Sequence, residues 1–122
     1  WPGPWERSYE YDFARIASVI VRYQPLHILY SSKSIRTNAE EVIKRVGADP
    51  DHENVRWHEI PYDSAWMRDN GPLYLEEDGR LKIQNWEFDA WGQYCYDDWS
   101  SDKLINNKIC DIERIKNLVY FK

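Results

Sequence analysis

Helical and strand-like patterns of apolar residues alternate along this chain, and that order admits few architectures. From Tyr9 to Gln24 the spacing predicts a helix, with Phe13, Ile16, Ala17 and Ile20 at i, i+3, i+4 and i+7 on one inward face. Pro25 ends it, because proline lacks the backbone donor a helix needs, and Leu26 to Tyr30 reads as a short buried strand. Asn38, with Glu41 three residues on, predicts the cap of a second helix that turns Ala39, Val42, Ile43 and Val46 inward. Gly47 is its expected stop, with Pro50 just beyond. Val55 to Ile60 reads as a strand closed by Pro61. Asp78-Gly79 between Leu73-Tyr74-Leu75 and Leu81-Lys82-Ile83 predicts a hairpin. A third helix is expected from Ser101 to Ile112, with Leu104, Ile105, Ile109 and Ile112 inward, and Leu118 to Phe121 reads as a last strand. Helix, strand, helix, strand, hairpin, helix, strand is an α/β alternation. The last apolar strand has no turn after it, so a C-terminal truncation is expected.

The 122 residues suffice for one domain burying about two-thirds of its unfolded surface. A net charge of −5 with no basic stripe argues against nucleic acid as a partner. No run approaches the ~20 apolar residues of a membrane span. The opening Trp1-Pro2-Gly3-Pro4-Trp5-Glu6-Arg7 is no basic leader to an apolar run, so no signal peptide is visible. Cys95 and Cys110 are too few for a disulfide framework, which makes a reducing cytoplasm the simpler expectation. Cys110, beside Ile109, is expected to be buried and inert, and Cys95 has no histidine near it in sequence. His27, His52 and His58 follow no ligand spacing, so neither a metal nor a cofactor is expected. The 7 Trp and 9 Tyr residues are compatible with core, with the wall of a ligand site or with a carbohydrate platform. Of these, Trp1, Trp5, Trp57, Trp86 and Trp99 are expected to be packing residues.

Two segments carry chemistry. Tyr62-Asp63-Ser64-Ala65-Trp66-Met67-Arg68-Asp69-Asn70-Gly71-Pro72 reads as a connection before the hairpin, and Asn85-Trp86-Glu87-Phe88-Asp89-Ala90-Trp91-Gly92-Gln93 follows it. A planar cation such as guanidinium is held by carboxylates that accept paired N–H bonds and by aromatic faces on which it stacks. Asp69 with Trp66, and Asp89 with Trp91, supply that chemistry. The plainer role for Asp69 is a loop carboxylate that caps backbone N–H groups or pairs with Arg68. Arg68 itself reads as structural, bracing an acidic neighbour, since a cation beside a guanidinium site would repel the substrate.

These segments resemble the agmatine deiminase and bacterial peptidylarginine deiminase family. Its first motif, Asp-x-Ala-Trp-x-Arg-Asp-x-Gly-Pro, is matched by Asp63, Ala65, Trp66, Arg68, Asp69, Gly71 and Pro72. Its second, Trp-x-Phe-Asn-Ala-Trp-Gly-Gly, is matched by Trp86, Phe88, Ala90, Trp91 and Gly92, with Asp89 in place of Asn and Gln93 in place of the second Gly. The resemblance implies a pentein-type α/β propeller of five ββαβ modules, of which residues 1–122 would supply the first and part of the second. It implies an N-terminal fragment of a deiminase catalytic domain, with the nucleophilic cysteine, its histidine and other acidic residues in later modules. It also implies that Asp69 binds the guanidinium and that Trp66, Trp91 and Asp89 contact substrate. Agmatine is the expected substrate, peptidylarginine the near alternative, and an aromatic-rich carbohydrate- or protein-binding module the distant one. The remaining modules of the same polypeptide are the expected partner, and a homo-oligomer is left open.

Overall fold

The computed structural model describes residues 1–115 and 118–121, without the side chains of residues 4, 5, 118, 120 and 121. The chain forms two compact units, Trp1–Pro61 and Tyr62–Lys122. The expected packing of Trp5 falls outside the described side chains.

In the first unit a 3-10 segment (Pro4–Tyr9) leads into α1 (Glu10–Ile20), followed by β1 (Leu26–Tyr30), α2 (Lys33–Arg45) and β2 (Val55–Glu59). β1 and β2 pair in parallel, Leu26 opposite Val55 and Tyr30 opposite Glu59. Trp1, Ala14, Ile28, Tyr30, Ile35, Ala39, Val42 and Ile43 form the core. Both strands lie where the sequence puts them, but both helices differ from expectation. α2 starts at Ser32, whose Oγ accepts from Ile35 N at 3.4 Å. Its N3 residue is Ile35, so the cap lacks the acidic residue that would have marked it. Asn38 lies inside α2, where its amide donates to Glu10 Oε1 at 2.5 Å. That bond ties α1 to α2 and turns Ala14 and Ala17 toward the core, leaving Ile16 57% exposed instead of inward. Small side chains let the two helices approach closely, which a face of isoleucines would not.

The second unit contains α3 (Met67–Asn70), β3 (Leu73–Glu77), β4 (Arg80–Trp86), a one-turn element α4 (Ala90–Gln93), a 3-10 turn (Asp102–Leu104), α5 (Ile105–Glu113) and β5 (Leu118–Phe121). β3 and β4 are antiparallel around Asp78 and Gly79, whose φ values of 52° and 70° fit the tight hairpin turn that follows strand twist. β5 then pairs with β4 in parallel, so β3-β4-α5-β5 is a ββαβ unit with strand order β3-β4-β5. Ile83 and Ile105 are both 0% exposed, and Asn106 Nδ2 donates to Asn85 Oδ1 at 2.7 Å between α5 and β4. The inward face of α5 is Ile105, Asn106, Ile109 and Cys110; Leu104 and Ile112, expected inward, are exposed. Asn106 and Cys110 lie on the side of Ile105 and Ile109 away from Leu104 and Ile112, so the buried stripe is rotated from the expected one. Trp86, expected as a packing residue, is 51% exposed, because β4 alternation places it on the face opposite Ile83.

α4 is a left-handed turn. Ala90, Trp91, Gly92 and Gln93 have φ of 55°, 56°, 75° and 62°. A side-chain-bearing residue held there costs about 1–2 kcal/mol, and only Gly92 escapes that cost. Asp89 caps the turn, its Oδ1 accepting from Gly92 N at 3.0 Å while its carbonyl accepts from Gln93 N at 2.8 Å.

Two stability measurements check this account. In urea titrations Ile83→Ala should lose about 2–5 kcal/mol of unfolding free energy, and the exposed Leu81→Ala about 1 kcal/mol or less. Gln93→Gly should gain about 0.5–1 kcal/mol and Gly92→Ala should lose about 1 kcal/mol; equal effects of the opposite sign would contradict the left-handed turn.

Candidate functional site

The first motif folds as a turn followed by α3. Ser64 and Ala65 are buried, and Met67 N donates to Ala65 O at 2.8 Å, which brings the chain sharply round. Trp66 O then accepts from Asp69 N at 2.9 Å and Asn70 N at 3.2 Å. Trp66 and Asp69 therefore share one turn of backbone. Asn70 anchors that turn from below: it is buried, and its Nδ2 donates to Ser64 O at 3.0 Å. Gly71 ends α3, with its N–H donating to Met67 O at 2.9 Å. A Cβ at Gly71 would lie 2.4 Å from that same carbonyl oxygen, so no other residue fits there without shifting the backbone.

Trp66 is 39% exposed, and Arg68 and Asp69 are exposed as well. Among the described residues, the Asp69 carboxylate has no hydrogen bond or ion pair. The plainer role, capping its own loop or pairing with Arg68, is thus not the one the structure shows. Arg68 likewise has no ion pair among the described residues, so the expected bracing of an acidic neighbour is absent there. α3 holds the carboxylate out toward solvent, where a cation could approach it.

Asp63 and Ala65 serve the frame. Asp63 Oδ2 accepts the backbone N–H groups of Ser101 (2.9 Å) and Asp102 (3.3 Å), satisfying donors at the start of the helical segment that ends in α5. Asp102 returns the interaction: its Oδ1 accepts from Asp63 N at 2.8 Å and Ser64 N at 3.2 Å. Sequence reasoning missed Asp102. The one available signal, an acidic residue at the head of a predicted helix, reads equally well as an ordinary cap.

In the second motif Trp91 is exposed and stands edge-on to Phe88 (centroids 5.2 Å apart, 86°) and to Tyr96 (6.2 Å, 78°). Asp89 is exposed too, but one of its oxygens is taken by the cap on Gly92 N–H, which leaves it a lesser share of the carboxylate for any ligand. The Tyr96 hydroxyl donates to Asp102 Oδ2 at 2.6 Å, and burial together with that carboxylate pushes its pKa well above the usual tyrosine range. Asp102 thus touches the first motif segment directly and reaches the second through Tyr96, whose ring meets Trp91. Cys110 is buried and its thiol is pushed up by burial, with Asp111 and Glu113 adding to the effect; Cys95 is exposed. No cluster of three or more His, Cys, Asp or Glu among the described residues is placed to hold a metal ion, and no helix there is long and apolar enough to cross a membrane.

The family model of Porphyromonas-type peptidyl-arginine deiminases matches residues 1–120. Agmatine deiminase of Pseudomonas syringae pv. tomato is 35% identical over 103 residues, covering 81% of this chain and 26% of that protein. The agmatine deiminase of Medicago truncatula is 32% identical over 115 residues, covering 84% and 28%. The solved structure of Enterococcus faecalis agmatine deiminase superposes with a TM-score of 0.71 at 26% identity, over 90% of this chain and 28% of that one. The chain spans about a quarter of the length of the curated relatives it matches. On the match across residues 1–120, the chain belongs to the Porphyromonas-type peptidyl-arginine deiminase family, whose relatives include agmatine deiminases.

Proposed function

We propose that residues 1–122 are the N-terminal part of a guanidine-hydrolysing deiminase that converts agmatine and water to N-carbamoylputrescine and ammonia. The observation that carries this reading is the exposed, unengaged Asp69 carboxylate on the same turn as Trp66, inside the segment that resembles the agmatine deiminase motif. A carboxylate with free lone pairs beside an indole suits a flat, delocalised cation, which it can bind through paired N–H bonds and by stacking. Trp91, on its left-handed turn, would form a second wall, and Asp89 would hold that wall in place as well as face the substrate.

In this reading a cysteine thiolate outside residues 1–122 attacks the guanidinium carbon, and ammonia leaves. Water activated by a histidine, also outside, then hydrolyses the thiouronium to the ureido product and frees the thiolate. Asp69 contributes by fixing the cation and opposing its charge while the carbon is attacked. The charge of −5 on residues 1–122 is compatible with approach of a cationic substrate. Peptidylarginine is the alternative substrate within the same family, supported by the description of the matching family model. Against a carbohydrate platform, Trp91 meets both aromatic neighbours edge-on, which offers no shared flat surface.

The ββαβ unit is the first full blade of a propeller closed by later modules, and its bare face is where the next one packs. Leu73, Leu75 and Trp86 are exposed on the side of the sheet opposite Ile83, an apolar group on a face they share with Lys82 and Gln84.

Three results test this reading. The full-length enzyme should release ammonia from agmatine, and Asp69→Asn should lower kcat/KM by about 100-fold or more, since one charged contact to the reacting group is lost. The 122-residue chain alone should show no turnover; measurable ammonia from it would sink the assignment of the nucleophile to later modules. It should also self-associate through the Leu73, Leu75 and Trp86 face, and a clean monomer at every concentration by sedimentation would contradict the unfinished propeller.

A further inference from the structure

Asp102 is a carboxylate taken almost wholly out of water, at 2% exposure. Burial of such a group is costly unless its lone pairs are matched. Here they are matched from two directions. Oδ1 receives the backbone N–H groups of Asp63 and Ser64, which open the segment carrying Trp66 and Asp69. Oδ2 receives the hydroxyl of Tyr96, which lies three residues beyond the turn carrying Trp91 and packs edge-on against that indole.

Ser64 extends the connection. Fully buried, it accepts from Trp66 N on its Oγ at 3.3 Å and from Asn70 Nδ2 on its carbonyl at 3.0 Å. From Trp91 the path runs through Tyr96, Asp102 and Ser64 to Trp66 and the turn that bears Asp69. Every step is a ring contact, a hydrogen bond or a peptide bond. Neither Asp102 nor Ser64 is accessible to a ligand, so their chemistry is spent on geometry.

We propose that Asp102 and Tyr96 are positioning residues that set the Trp66–Asp69 turn and the Trp91 turn against each other, so that a guanidinium meets both in one arrangement. The proposal rests on the deiminase reading above for its effect on catalysis. It stands without that reading as a statement about the two indoles. The Tyr96 hydroxyl is the part best suited to a test, because its removal keeps the ring and the two backbone bonds to Asp102 while cutting the bond that joins the Trp91 side to Asp102. A misplacement of an ångström or less at a binding group is enough to cost about 10- to 100-fold in rate.

The experiment uses the full-length protein labelled with 5-fluorotryptophan. Resonances of the two indoles are assigned by Trp66→Phe and Trp91→Phe, and agmatine kinetics are measured in parallel. Tyr96→Phe should shift both fluorine resonances and lower kcat/KM by about 10-fold, while Tyr23→Phe, at an exposed site, should do neither. Asp102→Asn keeps an acceptor for the backbone N–H groups, so it should move the Trp91 resonance more than that of Trp66, and it supplies the same comparison if Tyr96→Phe folds poorly. Resonances that stay in place in both variants would overturn the brace. Shifted resonances with kcat/KM within twofold of the parent would overturn its role in catalysis. A parent protein that releases no ammonia would overturn the deiminase reading alone, and the two resonances would still decide the brace.

Discussion

A single buried carboxylate, that of Asp102, holds the second unit together at the place where function is expected. Its bonds to Asp63 N, Ser64 N and Tyr96 Oη offset a desolvation cost of several kcal/mol. The arrangement is reciprocal, because Asp63 accepts the N–H groups of Ser101 and Asp102 in return. Each of the two acidic side chains is thereby matched by backbone donors from the other's segment. The loop from Asp63 to Gly71, which could otherwise wander, is pinned at its start by these bonds and at its end by Asn70.

The residues of the first motif divide by role. Asp63, Ala65 and Gly71 are there for the backbone: one caps, one is buried, and one has no room for a side chain. Trp66, Arg68 and Asp69 are exposed at the surface of that turn. A motif of this kind mixes residues that build a turn with residues the turn displays, and spacing alone does not separate the two. The second motif follows the same logic. Its left-handed turn accounts for glycine at position 92, and the residues around it accept strain that the Asp89 cap and the Phe88 and Tyr96 rings help to hold.

The strands and the hairpin were legible in the sequence because proline, Asp-Gly and short apolar runs punctuate them strongly; β1 matches its expected bounds and β2 all but its last residue. Helix phase was less legible. Ile16 looked like a core residue by period, but a hydrogen bond between Asn38 and Glu10 sets the rotation of α1, and only the fold brings those residues together. The start of α2 was missed because Ser32 caps without an acidic partner three residues on. Trp66, Asp69, Asp89 and Trp91 stand out by residue type, since cation recognition needs carboxylates and indoles, and all four are exposed. Asp102 could not, because a buried acid reached from residues 39 and 6 positions away leaves no local pattern.

The most direct test of the central claim is a crystal structure of the full-length protein with a guanidine substrate bound to a nucleophile-inactivated variant. The Asp69 carboxylate should lie within hydrogen-bond distance of the guanidinium, with the Trp66 ring against its face. An Asp69 side chain directed away from the cation, with the guanidinium held entirely by residues outside 1–122, would contradict it.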